Sequence, residues 1–225
     1  EDLPSEVGAM LSYHRPLEGA REDFERGYRR HLEWHEARAD SLTWYGWDVV
    51  SGRGQGRFVD GTFGISFEAL DQRVDPAGDR EDTRASYGGH RREAGRSFLR
   101  LRPDLSSAAP LESGSTTTFV EVVRYRVAAP HRADFERVLL QACRSEVAFA
   151  PFTVYEMLTG ASGSDFILFV WRDALGTFDD ASTDPARAIR TGLAAKPSLT
   201  VAEEQELWRF RRDLTRFGSR TPEAR

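Results

Sequence analysis

The chain has 225 residues, 40% apolar and 30% charged, an ordinary composition for a globular protein with room for one large domain or two small ones. Its formal net charge is −5, and Lys196 is the single lysine among 31 basic residues, so no clustered basic face is expected to meet nucleic acid. No run reaches the roughly 18 apolar residues of a membrane-spanning helix, and one cysteine, Cys143, excludes an internal disulfide.

In chain order, apolar periodicity and breakers read as a strand over 9–14, a helix over 20–39, strands over 42–51 and 58–67, a second helix within 79–93 and a closing strand over 97–105. The glycines of 52–56 lie between two strands and suit a hairpin turn. A dinucleotide fingerprint would stand between a strand and a helix. Asp60-Gly61 is a second turn or bulge signal, and Asp48, set among strand aromatics, suits an outward, solvated position. A stretch over 106–118 rich in Ser, Ala, Pro, Gly and Thr reads as a linker. After it come a strand over 119–127, a helix over 133–147, strands over 152–158 and 166–171 around a turn at 160–164, and a short helix over 184–195. Cys143 falls on an apolar helical stripe as a small buried hydrophobe.

The last segment, 206–214, is ambiguous by itself. Leu207, Phe210, Leu214 and Phe217 have helical spacing, and Thr200 with Glu203 resembles a capping box. An internal repeat arbitrates. Asp23-Phe24-Glu25-Arg26 recurs as Asp134-Phe135-Glu136-Arg137, and Asp75-Pro76-Ala77 as Asp184-Pro185-Ala186. Arg100-Leu101-Arg102-Pro103-Asp104-Leu105-Ser106 falls on Arg209-Phe210-Arg211-Arg212-Asp213-Leu214-Thr215. The copy over 97–105 alternates and carries Pro103, which suits an edge strand, so both copies read as strands. Three ordered matches at nearly one offset indicate a duplicated unit. Arg100 and Arg209, recurring with Asp104 and Asp213, are expected to form ion pairs or strand-end caps.

Each unit is then strand, helix, strand, strand, helix, strand, the α+β ferredoxin-like order, with a first unit over 1–106, a linker over 107–118 and a second unit over 119–225. One unit leaves a sheet face bare. Two units cover both by packing sheet to sheet with the helices outside. This order and duplication resemble the dimeric α/β-barrel superfamily, which includes antibiotic-biosynthesis-type monooxygenases, the NIPSNAP proteins and chlorite-dismutase-like haem proteins. The resemblance implies a pseudo-dimeric α/β barrel. In the haem-binding members it implies a histidine ligand in the second unit, where this chain has only His131, so no cofactor is expected.

The halves differ in chemistry. His14, His31, His35 and His90 are all in the first, together with Trp34, Trp44, Tyr45 and Trp47. Aligning the first helices sets His31 opposite Ala142 and His35 opposite Glu146. Phe24, Tyr28, His31, Leu32 and His35 share one stripe and therefore face the sheet. The reading is a pocket for a small apolar or aromatic molecule, with His31 or His35 as acid/base and Tyr28, Trp44, Tyr45, Trp47 and His14 around the ligand. The competing reading is a non-catalytic binding or assembly module with satisfied, structural histidines. A third is a metal enzyme, since His31 and His35 at i, i+4 can present two imidazoles to one ion. Glu33 stands at the wrong place for HEXXH, and nothing selects a third ligand among Glu36, His14 and His90, so no metal site is assigned. A monomer or a homodimer fits equally. The preponderance of arginine suits a GC-rich bacterial genome. The chain opens at Glu1 without methionine, which leaves the compartment cytoplasmic or, if a signal peptide preceded Glu1, periplasmic or secreted.

Overall fold

Eight antiparallel strands close into one barrel in the order β1-β3-β2-β8-β5-β7-β6-β4. The computed structural model describes residues 7–107, 117–145, 147–159, 164–199 and 201–218. The first unit comprises β1 (Val7–Pro16), α1 (Arg21–Ala37), β2 (Tyr45–Gly52), β3 (Phe58–Ser66), the short α2 (Phe67–Asp71), α3 (Pro76–Ser86) and β4 (Arg91–Leu101). The second comprises β5 (Phe119–Val127), α4 (Arg132–Cys143), β6 (Phe152–Met157), β7 (Ser164–Arg172), α5 (Pro185–Ala194) and β8 (Val201–Phe210). The linker read over 107–118 falls largely outside the described residues, as does most of the turn read over 160–164. Among the described residues, no helix is long and apolar enough to cross a membrane.

Each unit orders its strands in the same way, β4-β1-β3-β2 and β8-β5-β7-β6. The sheets face each other and also join along both edges. Asp48 stands across from Arg209 where β2 meets β8, and Arg100 across from Glu156 where β4 meets β6. Closure leaves neither unit with an unpaired edge. The two bare faces bury a common aromatic core that includes Tyr45, Trp47, Phe63, Tyr155, Phe169 and Trp208. A separate apolar core lies under the helices of each unit, Phe24, Tyr28 and Phe58 in the first and Phe135, Phe166 and Ile189 in the second.

The recurring peptides have identifiable structural jobs. Asp75 and Asp184 cap α3 and α5, accepting the Gly78 and Ala186 amides at 3.0 Å each, with the following proline in the first helical turn. Asp60-Gly61 makes no turn and runs on inside β3. Strand is the right reading of the closing segments, but each ends earlier than the periodicity suggests. β4 stops at Leu101 and β8 at Phe210, and 3-10 turns follow at Pro103–Leu105 and Arg212–Leu214. Those turns cross between units. Leu105, from the first, is buried in the second unit's helix-side core, and Leu214, from the second, in the first's.

Asp104 and Asp213 are paired with Arg102 and Arg211, at 2.8 Å each, while Arg209 makes its expected ion pair with Asp48, at 3.5 Å. An arginine just past the strand end reaches an aspartate two residues on across the turn. Arg100 and Arg209 lie within the strands, where they oppose Glu156 and Asp48. Asp48 is accordingly buried and ion-paired, with Arg21 and, at 2.8 Å, with Arg211. Cys143 is only partly buried, and its thiol donates to the Ser106 carbonyl at 3.2 Å.

Candidate functional site

The apolar stripe of α1 comprises Phe24, Gly27, Tyr28, His31, Leu32 and His35, all buried against the outer face of the first sheet. Gly27 is required where α1 meets the end of α3, because a Cβ there would lie 2.2 Å from the Ser86 carbonyl oxygen. This close approach brings the carboxylates of α3 to the histidines of α1. From the sheet, strand alternation sends Met10, Ser12 and His14 of β1 and Asp60 of β3 toward the helices.

A cavity of about 310 Å3 lies between α1, α3 and the sheet. Met10, Tyr28, Leu32, Trp44 and Tyr87 supply its apolar and aromatic wall. Arg73, Arg80, Arg84, Arg91 and Arg96 line it as well, and of these Arg80, Arg84 and Arg96 are exposed and form its rim. Burial pushes the Tyr28 and Tyr87 phenols well above their ordinary range, with Asp60 adding to the rise, so both remain protonated.

Its polar floor is a relay of imidazoles and carboxylates. His31 Nδ1 is 2.7 Å from Asp82, and His35 Nδ1 is 2.7 Å from Asp40. Asp40 also accepts the Trp44 indole N–H at 2.9 Å and the Leu42 amide at 3.0 Å. The two Nε2 atoms face each other at 3.2 Å, and Asp79 Oδ1 lies 3.2 Å from that of His31 and 3.8 Å from that of His35. Burial works to raise the Asp79 carboxyl, but bonding to His31 and the nearby His35 and Arg73 charges carry it below the usual carboxylate value. Asp40 is shifted the same way: burial raises it, and the His35, Trp44 and Leu42 donors more than offset that. Burial opposes charge on His31, but Asp79 and Asp82 together raise its pKa. A third imidazole, that of His14, is held through Nε2 by Asp60, and its ring stacks on Phe58.

Five of the residues expected around a ligand meet here: His14, Tyr28, His31, His35 and Trp44. Tyr45 and Trp47 do not. They stack on each other at 5.6 Å inside the barrel, because β2 directs Tyr45, Trp47 and Val49 inward and Gly46 and Asp48 outward. Of the third-ligand candidates, Glu36 is paired with Arg216 at 2.7 Å, His14 is held by Asp60, and His90 sits in the 3-10 turn after α3. The carboxylates that do approach, Asp79 and Asp82, were not singled out by sequence. Their i, i+3 spacing on a helix was the available signal, but nothing local aims it at α1.

Among the described residues, the equivalent space in the second unit holds no such cluster of imidazoles and carboxylates. Ala142 replaces His31 and is packed with Tyr125, Phe135, Leu139 and Phe166, while the position opposite His35, Glu146, lies outside the described residues. His131 stands at the head of α4. A haem held by a histidine of the second unit does not fit residues packed in this way.

The architecture has clear relatives among solved structures. An anthrone oxidase-like protein aligns over 100% of this chain and 99% of its own, with a TM-score of 0.59 and 12% identity. The dimeric α/β barrel is the fold of this chain. A Fusobacterium nucleatum protein provisionally named a monooxygenase shares that barrel over 91% of this chain and 92% of its own, at a TM-score of 0.65 and 7% identity. A variant of the chlorite dismutase of Candidatus Nitrospira defluvii does so over 90% and 92%, at 0.54 and 11%. At these identities the shared α/β barrel is a likeness of fold. No protein-family model matches the chain, and no curated protein sequence matches it.

Proposed function

We propose that the first unit of the barrel binds a small molecule that combines an apolar or aromatic body with an acidic group, and that His31 and His35 contact it from the cavity floor. The cavity carries this reading, since it couples an aromatic wall to a lining in which, among the described residues, five arginines stand beside Asp60 and Asp79, with Asp40 and Asp82 behind the imidazoles. An apolar body gains from burial against Met10, Leu32 and Tyr87, and a carboxylate finds guanidinium partners suited to two-point recognition. The excess of arginines over carboxylates in the lining favours a ligand that carries negative charge, which narrows the apolar ligand expected from sequence to an acidic one. The names of the fold relatives, an anthrone oxidase-like protein and a provisional monooxygenase, support a small-molecule role.

The test is equilibrium binding of 1-naphthoate and of the neutral 1-naphthamide, read by tryptophan fluorescence, since Trp44 is part of the wall. Naphthoate should bind saturably and the amide about 10-fold more weakly, a difference of ~1.4 kcal/mol. Leu32→Trp, which fills the cavity, should abolish both while circular dichroism stays unchanged. Equal binding of acid and amide, or full binding by Leu32→Trp, would remove the reading.

A further inference from the structure

We propose that His31 Nε2, His35 Nε2 and the Asp79 carboxylate bind one first-row divalent transition-metal ion, whose remaining coordination positions face the cavity. The proposal deepens the ligand-binding reading and rests on the same cavity, but binding of the ion requires no organic ligand, so the two can fail separately.

Geometry comes first. The three donor atoms form a triangle with edges of 3.2, 3.2 and 3.8 Å. A point equidistant from such vertices lies about 2.0 Å from each, the ordinary length of a bond from zinc to imidazole nitrogen or carboxylate oxygen. The donor separations therefore admit an ion at bonding distance from all three.

Proton bookkeeping points the same way. Asp82 and Asp40 face the Nδ1 atoms, and an ionised carboxylate can only accept, so each Nδ1 carries its proton. With its proton on Nδ1, a neutral imidazole presents Nε2 as a lone pair. The two Nε2 atoms face each other at 3.2 Å, with an acceptor oxygen of Asp79 beside them. Two imidazole nitrogens and a carboxylate oxygen within 3.8 Å of one another suit a shared cation, whether a proton or a metal ion. Thr83 Oγ1, 3.4 Å from His31 Nε2, is long for a hydroxyl donor. Arg73 Nη2 reaches Asp79 at 3.8 Å on its other oxygen, Oδ2, leaving Oδ1 toward the imidazoles.

The surroundings match what a metal requires of a histidine ligand. Metal-bound imidazoles characteristically donate the far N–H to a carboxylate, which fixes the tautomer and strengthens the donor. Here both rings do so, and the supporting groups are anchored in turn. Asp82 accepts from the Ser86 hydroxyl at 3.1 Å, and Asp40 accepts the Trp44 indole and the Leu42 amide. Two imidazoles and one carboxylate suit zinc or iron(II) better than the all-oxygen shells of calcium or magnesium. Three protein donors leave positions for water or for the acid group of a cavity ligand, the arrangement of reactive rather than closed structural sites. The sequence had assigned no metal, and its i, i+4 histidine pair lacked the third donor that α3 supplies.

The full chain, stripped by chelator and dialysed, should bind close to one Zn(II) per chain by titration calorimetry, and Co(II) should develop a visible absorption band. His35→Ala and Asp79→Asn should each weaken Zn(II) by about 100-fold. Asp82→Asn keeps all three donor atoms and should weaken it about 10-fold or more. Histidine-ring NMR of the unaltered protein gives a reading without any variant: Zn(II) should shift the rings of His31 and His35 and leave those of His90 and His131 in place. Absence of binding by Zn(II), Co(II) and Fe(II), unshifted His31 and His35 rings, or folded variants with unaltered affinity would each overturn the proposal. Naphthoate binding to a protein that takes up no metal would remove the metal site and keep the pocket, and metal uptake without naphthoate binding would do the reverse.

Discussion

Arg211, just beyond β8, grips Glu25 of α1 through two guanidinium bonds of 2.9 and 2.7 Å, and Arg102 meets Glu136 of α4 through one, at 2.9 Å. The pairs occupy matching positions of the repeat, and each crosses from one unit to the other. Around them Arg21 and Arg132 bridge in parallel, the first to Glu25 and Asp48, the second to Glu136 and Glu156. Thr215 and Ser106 complete the symmetry, taking the amides of Gly46 and Val154 from the opposite unit at 3.0 and 2.9 Å. Gly46 must lack a side chain there, since a Cβ would lie 2.4 Å from the Leu214 carbonyl oxygen. The most repeated peptide of the sequence is therefore a latch that holds the barrel shut.

Replacing Arg211 with Met should destabilise the protein by about 1–3 kcal/mol, since charged hydrogen bonds are lost from a largely enclosed site and Glu25, Asp48 and Asp213 are left facing one another. Arg102→Met should cost less, because it strands only Asp104 and Glu136. Urea unfolding of the two variants checks the order. A larger loss for Arg102→Met would show that the two latches are not energetically ranked as their partners suggest.

The same pair makes an acid-sensitive contribution. Bonding to Arg211 outweighs burial and, with Arg21, carries Glu25 from an ordinary 4.5 down to about 2. A carboxylate with a depressed folded pKa stabilises fully above its unfolded value and loses that contribution as pH falls through the folded one. The stability gap between the native protein and Glu25→Gln should accordingly be constant above pH 4.5 and close as pH approaches 2. Unfolding free energies across that window test it. A gap that instead widened on acidification would contradict the assignment.

Leu214→Ala should cost about 2–5 kcal/mol, the usual range for a buried leucine. Its effect should appear in the unit to which it does not belong. Hydrogen exchange should accelerate in α1, against which Leu214 packs through Phe24 and Tyr28, before it accelerates in α4. Leu105→Ala should show the converse, loosening α4 first.

Trp47→Leu should lower stability by about 2–4 kcal/mol by emptying part of the barrel interior, and leave naphthoate binding in the cavity unchanged. Trp44→Phe should do the opposite. It removes the indole donor to Asp40, which orients His35, and part of the cavity wall, so binding should weaken at a smaller stability cost. Measuring affinity and unfolding midpoint on both variants separates the two tryptophans. Loss of binding in Trp47→Leu would return that side chain to the site.

The sequence by itself determined the element order, the duplication and the face of α1 that carries His31 and His35, because helical periodicity and a repeat are local properties of a chain. It also showed that four of the five histidines lie in the first half, with His31 standing where the second half has Ala142. Only the tertiary structure decided which apolar face meets which. Tyr45, Gly46, Trp47 and Asp48 are all buried, so the alternation along β2 separates two faces without saying which lies in the barrel interior and which under the helices. The strand ends at Leu101 and Phe210 are set by Arg102 and Arg211, each of which pairs both with an aspartate across its own turn and with a glutamate of the opposite unit. The decisive neighbours of His31, Asp79 and Asp82, come from a helix some fifty residues later, brought in by the Gly27 contact between α1 and α3. Periodicity reports how much of a surface must be buried. Which surface buries it is set by the packing of whole elements, and the site exists only at that level.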